Sequence, residues 1–285
     1  MNVEIAETSF MIDNVVVTAN KYATKQKEVA TIVNVVSPLI IESTASNSMA
    51  DVLNFQTGLR VEETCSNCGV PQIRINGLEG QYTQILMDSR PIFSSLASVY
   101  GLEQLPAGMV DRIEVIRGGG SALYGANAIA GVVNIITKEP TRNFFNVSNS
   151  SAFTEKGTYD INTNLNASVV SENQKAGIYL FGVQRNRQQY DRDDDGFSDI
   201  PHLNSTTAGF RSFFKTSEYS KLTAEYHHTT EYRRGGYGID SLQPHESPLC
   251  EQLRHNIDAA TAKWDMYTAD SRHFISAYTS FQHIG

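Results

Sequence analysis

The chain has 285 residues, 31 acidic against 23 basic side chains, a net charge of −8, and a 40% hydrophobic share. The acidic balance argues against a nucleic-acid partner. No run approaches the ~18 consecutive apolar residues of a membrane helix, but a membrane β-barrel stays open, because its strands alternate and never form such a run. The first residues, MNVEIAETSFMIDNVVVTANK, have neither a basic head nor a continuous apolar stretch, so no signal peptide is legible.

Residues 13 to 140 read as a mixture of short helices and strands. DNVVVTANKY is a β-branched run at an otherwise polar terminus. SNSMADVLNFQTGL predicts a helix, with Ser48 as its N-cap and Gly58 as its stop. TCSNCG brings Cys65 and Cys68 together, a spacing that suits a redox pair, half a zinc site or a small disulfide loop. No second Cys or His pair lies near enough to complete a zinc site. QIRING, QILMD and DRIEVIRG alternate as strands do. In RGGGSALYG the glycines predict a sharp turn and Ser121 caps a one-turn helix. GVVNIIT closes the region as a strand. RGGGSALYG is not a phosphate loop: no Lys follows the glycines, and the third glycine of a dinucleotide fingerprint would fall at Leu123.

From about residue 143 the texture changes to long alternating segments: FFNVSNSSAF, TYDINTNLNASVV, AGIYLFGVQRNRQQY, TTAGFRSFFKT, KLTAEYHHTTEY, NIDAATAKWDMYTA and RHFISAYTSF. These seven exceed the usual 5–6-residue strand. Leu222, Ala224 and Tyr226 share one face, and Thr223, Glu225 and His227 the other. Two long connections, around residues 191–203 and 233–254, fall at one end and short ones at the other. That is the outer-membrane barrel pattern.

These features together resemble TonB-dependent outer-membrane receptors. The matching residues run from DNVVVTANKY through MADVLNFQTGLRVE, IRINGLEGQYTQILMDSRPI and LPAGMVDRIEVIRGGGSALYGANAIAGVVNIITKEP. The resemblance is to receptors of Bacteroidetes-type bacteria and of the cobalamin or siderophore kind. It implies an α+β plug domain (residues 21–140) behind an N-terminal segment (1–20), followed by antiparallel transmembrane strands (141–285). The family's barrel has 22 strands, so seven leave it incomplete, and both ends of the sequence are expected to be truncated.

The resemblance also implies roles. Asp13, Asn14, Val15, Val16, Val17, Thr18 and Ala19 occupy the position of the TonB box. TonB, driven by ExbB/ExbD and the proton-motive force, pairs with this segment as an added strand. Substrate, a small scarce nutrient, would meet two plug loops, through Cys65, Ser66, Asn67 and Cys68 and through Ser89, Arg90, Phe93, Ser94, Ser95 and Tyr100. A Cys65–Cys68 disulfide would stiffen the first of them. The implied location is the outer membrane, in contact with lipid, with the plug inside the barrel and the box facing the periplasm.

Two readings come from the residues alone. In DRDDDGFSD, Asp191, Asp193, Asp195 and Asp199 fall at positions 1, 3, 5 and 9 of a calcium-loop pattern, with Gly196 at 6. His202 stands at 12, so the loop is not an EF-hand, and a solvated acidic loop is the other reading. No cofactor is required, and no spacing supports a catalytic triad or a carboxylate pair, so no enzyme is expected. The functional expectation is uptake of an iron-siderophore, haem or cobalamin. The alternatives are a non-transporting surface receptor and a carbohydrate or peptide importer on the same scaffold.

Overall fold

The structure, a computed structural model, describes residues 15–19, 24–44, 49–63, 67, 69, 71–91, 107–119, 121–270 and 272–285. Its first part contains β1 (Val15–Val16), β2 (Thr24–Lys25), β3 (Val33–Val36), α1 (Pro38–Ser43), α2 (Met49–Asn54), β4 (Leu59–Glu63), β5 (Pro71–Ile75), β6 (Thr83–Met87), β7 (Arg90–Pro91), β8 (Val110–Arg117), α3 (Ser121–Tyr124) and β9 (Gly131–Thr137). Five strands form one sheet in the order β3-β8-β9-β6-β7, with only β6 and β9 parallel. β4 and β5 pair separately, as do β1 and β2.

The central strands β8 and β9 are buried on both faces. Ile113, Val115, Val133 and Ile135 join Met49, Val52 and Leu53 of α2 in the larger core. Ile116 and Val132 join Val16, Val33 and Leu86 in the smaller one. Alternation in DRIEVIRG therefore marks a strand between two cores, and its polar member Glu114 is fully buried. The turn after β8 uses the left-handed backbone at Gly118 and Gly119, with φ of 71° and 62°. Not every small residue downstream serves packing. Ala128 and Ala130 are buried, whereas Ala126 is exposed and Gly125 faces open space with φ of 93°. Gly125 is there for conformation.

The second part is one antiparallel meander: β10 (Phe144–Phe153), β11 (Tyr159–Val170), β12 (Ala176–Arg187), β13 (His202–Ser217), β14 (Ser220–Gly236), β15 (Cys250–Tyr267) and β16 (Phe274–Ile284). Each strand pairs only with its neighbours in sequence, and β10 and β16 lie at the margins. The sheet is a partial, unclosed barrel. Residues 138–143 carry the chain from β9 into β10, and that side is the linker end. Residues 188–201 and 237–249 connect strands at the opposite, far end.

Alternation sets the two faces. Tyr179, Phe181, Arg211, Thr223, Glu225, Thr229 and Arg233 are buried against the first domain. Tyr179 and Phe181 belong to that domain's larger core, so the two parts share apolar packing. The opposite face shows Leu165, Leu180, Phe214, Leu222, Trp264, Ile275 and Phe281, each at least 36% exposed. A broad apolar face of this kind needs a cover other than water, and a barrel's outer band meets lipid this way. No described helix is long and apolar enough to cross a membrane.

Candidate functional site

Of the box-like segment, Val15 to Ala19 lie within the described residues; Asp13 and Asn14 lie outside them. The segment forms a strap against the smaller core, with Val16 and Thr18 fully buried. One carboxylate catches it. Glu114 Oε2 accepts from the amides of Val17 and Thr18, both at 2.8 Å, and from the Thr18 hydroxyl at 2.6 Å. Glu114 Oε1 pairs with the Arg112 guanidinium at 2.9 Å. Tyr124 donates its hydroxyl to the Thr18 carbonyl at 2.8 Å, and Asn134 Nδ2 donates to the Thr18 hydroxyl at 2.9 Å. Burial pushes the Tyr124 phenol up to about 12, opposed by a hydrogen bond with Ser89 and aided by the Glu114 charge. The strap's backbone is engaged at both the Val17 and Thr18 amides and at the Thr18 carbonyl, besides the pairing of β1 with β2. Sequence reasoning missed Glu114, Asn134 and Tyr124 as partners. The available signal was a charged residue at an inward position of an alternating strand.

Asn134 links the strap to the barrel wall. Its Oδ1 accepts from the Ser89 amide at 2.9 Å and its Nδ2 donates to the Ser89 hydroxyl at 3.1 Å. Next to Ser89, Asp88 accepts from the Thr137 hydroxyl at 2.7 Å and from Arg211 of β13. Arg211 also donates to Glu225 of β14 at 2.9 Å. Burial alone would raise the Asp88 carboxyl. The Arg211 guanidinium, the Thr137 hydroxyl and Arg90 outweigh it and hold the group below its ordinary value. Ser89 and Arg90 thus sit with β9 and the linker-end halves of β13 and β14, apart from the loop at residues 64–70. Phe93, Ser94, Ser95 and Tyr100 lie outside the described residues.

Asn67 and Gly69 of that other loop lie against Arg233 and Gly235, at the far end. Asn67 and Gly69 are its described members, while Cys65, Ser66, Cys68 and their proposed disulfide lie outside. Arg233 of β14 donates to the Gly69 carbonyl. Gly235 runs so close to Asn67 that a Cβ there would strike the Asn67 carbonyl. Cys250, at the start of β15, is a half-buried thiol without a disulfide.

The acidic loop is also at the far end. One carboxylate oxygen each from Asp191, Asp193 and Asp195 falls within 4.8 Å of the others. Asp194 and Gly196 adopt φ of 60° and 89°, curling the loop, and their amides donate to Asp191 at 2.8 and 2.9 Å. Asp199 does not join this group; it accepts from the Arg192 amide at 2.7 Å. Lys156 donates to Asp194 at 2.6 Å and to the Asp191 carbonyl at 2.7 Å. Three hard oxygen donors fit a calcium ion by chemistry, and the lysine supplies one positive charge to the same loop.

Comparison with known proteins matches this arrangement. The profile described as the TonB-dependent receptor plug domain covers residues 25–132. The vitamin B12 transporter BtuB of Vibrio vulnificus CMCP6 is 37% identical over 125 residues, which is 44% of this chain and 20% of that protein. BtuB of Vibrio cholerae is 30% identical over 126 residues, 44% of this chain and 21% of the relative. The chain therefore spans about a fifth of the curated relatives it matches. Among solved structures, the siderophore receptor PirA of Acinetobacter baumannii superposes with a TM-score of 0.72 at 18% identity, over 88% of this chain and 39% of that one. The copper transporter OprC gives 0.66 at 13% identity, over 88% and 37%. These relatives are transporters and receptors rather than enzymes. Residues 25–132 thus match the plug domain of TonB-dependent receptors, and the strands that follow have the fold of the partial barrel in those solved structures.

Proposed function

We propose that this chain is the plug and first barrel wall of a transporter that takes up a scarce nutrient across the outer membrane, with cobalamin as the first substrate to test and ferric siderophores and haem after it. One observation carries the reading: a box-like strap is held on the plug by the Glu114 carboxylate with Tyr124 and Asn134, and Asn134 bonds Ser89, whose chain neighbour Asp88 is paired with Arg211 of the barrel wall. A device that must hand a peptide to an energising partner needs a segment that is ordered at rest and releasable. The linker end then faces the periplasm. There TonB, energised by ExbB/ExbD and the proton-motive force, takes the freed strap as an added strand. The far end faces outward, where the loop at residues 64–70 meets substrate, stiffened by a Cys65–Cys68 disulfide in an oxidising compartment. Calcium on Asp191, Asp193 and Asp195 orders the neighbouring outer loop.

Radiolabelled cyanocobalamin, haem and ferric siderophores offered to cells expressing the receptor test this directly. One of them should bind saturably and accumulate, and accumulation should stop on adding a proton uncoupler while binding persists. Binding without energy-dependent accumulation would instead make the protein a surface receptor on the same scaffold. Uptake of an oligosaccharide or a peptide only would place it with the importers of those substrates.

A further inference from the structure

β6 and β7 are joined by a two-residue turn, Asp88 and Ser89, between the paired residues Met87 and Arg90. Both turn residues take the left-handed backbone, with φ of 47° and 66°. A turn of this kind favours glycine in at least one of its two places. The turn after β5 follows that rule, with Asn76 followed by Gly77. Among the described residues, Asp88 and Ser89 are the sole adjacent pair without a glycine at positive φ. Such a backbone persists only where its surroundings hold it, and it concentrates at functional positions.

Bonds on two sides hold this turn. Toward the wall, the Asp88 carboxylate accepts from the Thr137 amide at 3.1 Å, from the Thr137 hydroxyl at 2.7 Å and from Arg211 of β13. Toward the strap, the Ser89 amide donates to Asn134 Oδ1 at 2.9 Å, and the Ser89 hydroxyl accepts from Asn134 Nδ2 at 3.1 Å. That same Nδ2 donates to the Thr18 hydroxyl at 2.9 Å. The Ser89 hydroxyl is also hydrogen-bonded to the Tyr124 phenol, which in turn donates to the Thr18 carbonyl at 2.8 Å. Ser89 thus touches both side chains that assist Glu114 in holding the strap. Asp88 touches the wall, and a single peptide unit separates the two.

We propose that Ser89 is a positioning residue for the strap, and that the Asp88–Ser89 turn makes the strap's hold conditional on the contact between Asp88 and Arg211. While Arg211 and Thr137 grip Asp88, the turn stays in its left-handed form and sets Asn134 and Tyr124 against Thr18. When the wall contact is lost the turn relaxes, and both side chains slacken on the strap. The inference rests on the reading of the strap as the segment that is released. It does not depend on which nutrient the receptor carries.

The test follows a spin label at Val15 in the receptor carrying this chain, purified in detergent. Neither substrate nor TonB is present, so the outcome stands apart from whether any nutrient is taken up. Asn tolerates the left-handed backbone, so Asp88→Asn weakens the wall contact and leaves the turn's own geometry allowed. It should raise the ratio of mobile to immobilised label by about fivefold or more, the lower range of coupling between linked sites. Ser89→Gly keeps the backbone and removes the hydroxyl, and it should raise the ratio as well. Asp88→Asn added to Ser89→Gly should then raise it no further. Tyr179→Phe breaks a different bond between plug and wall, the one from the Tyr179 hydroxyl to the Gly108 carbonyl at 2.6 Å, and should keep the parent's ratio. Unchanged heat-modifiable migration on gels checks that each variant folds, and Arg211→Lys replaces Asp88→Asn should the latter not fold. A parent-like spectrum in the variant that breaks the wall contact, an equal rise in Tyr179→Phe, or additive rises in the double variant would overturn the proposal.

Discussion

Glu114 makes three hydrogen bonds to the strap while itself fully buried. A hydrogen bond to a charged acceptor contributes about 1.5–3 kcal/mol, and neighbouring bonds are not additive. Glu114→Ala should therefore free the strap in the absence of substrate. A spin label at Val15, which is 46% exposed, should change from an immobilised to a mobile spectrum, with Glu114→Gln intermediate. An immobilised spectrum in Glu114→Ala would remove the catch from the scheme. A second residue-scale prediction concerns Asp88. Its carboxyl is held below the ordinary value by Arg211, Thr137 and Arg90 against burial. The folded state thus favours the ionised form, and this stabilisation is present above the ordinary carboxylate pKa of about 4 and lost as pH falls below it. Plug–barrel association, followed by thermal melting, should weaken below about pH 4. The same melts on Asp88→Asn should show a smaller loss over that interval. Arg211→Met leaves Asp88 and Glu225 facing each other without their shared cation, a change expected to cost about 3–5 kcal/mol.

Among the elements, all seven barrel strands were legible in sequence, because their alternation is long and their turns are polar, but β13, β14 and β15 run beyond the segments read, to His202, Gly236 and Cys250 at the far end. FFNVSNSSAF is the whole of β10. The connection expected across residues 233–254 is shorter in the structure, since β14 runs on to Gly236 and β15 begins at Cys250. Arg233 and Arg234 look like loop residues in sequence, and here they are buried strand residues. In the plug, QIRING, QILMD, DRIEVIRG and GVVNIIT are strands as read. VNVV, PLIIES and LRVEE went unread as β3, α1 and β4, because segments of four to six residues carry too few periods to show a pattern. The strap was legible as an extended run, but its catch was not. Glu114 and Thr18 are 96 positions apart, and no local pattern encodes such a meeting. Close approach at Gly235 was equally invisible. Gly235→Val should push the loop at residues 64–70 off β14, which limited proteolysis would register as faster cleavage there, while the melting of the barrel strands changes little.

For the whole molecule, one face of the sheet packs on the plug and the other is apolar and uncovered. Nitroxide labels placed at Leu180 and Leu222 in the receptor should be reachable by dissolved oxygen and shielded from a polar nickel reagent. The reverse at both positions would mean that this face meets water. The plug is joined to the barrel by residues 138–143 alone in sequence, and that short passage is clipped on both sides: Lys138 donates to the Met109 carbonyl at 2.8 Å, and Lys221 pairs with Glu139 at 2.7 Å. β3, the strand nearest the strap in sequence within the large sheet, pairs only with β8. The strap and the edge strand β3 therefore lie at one margin of the plug, whereas β9, next to the linker, lies inside the sheet between β8 and β6. β9 and its partner β8 are thereby fastened to the wall by the short covalent passage that follows them.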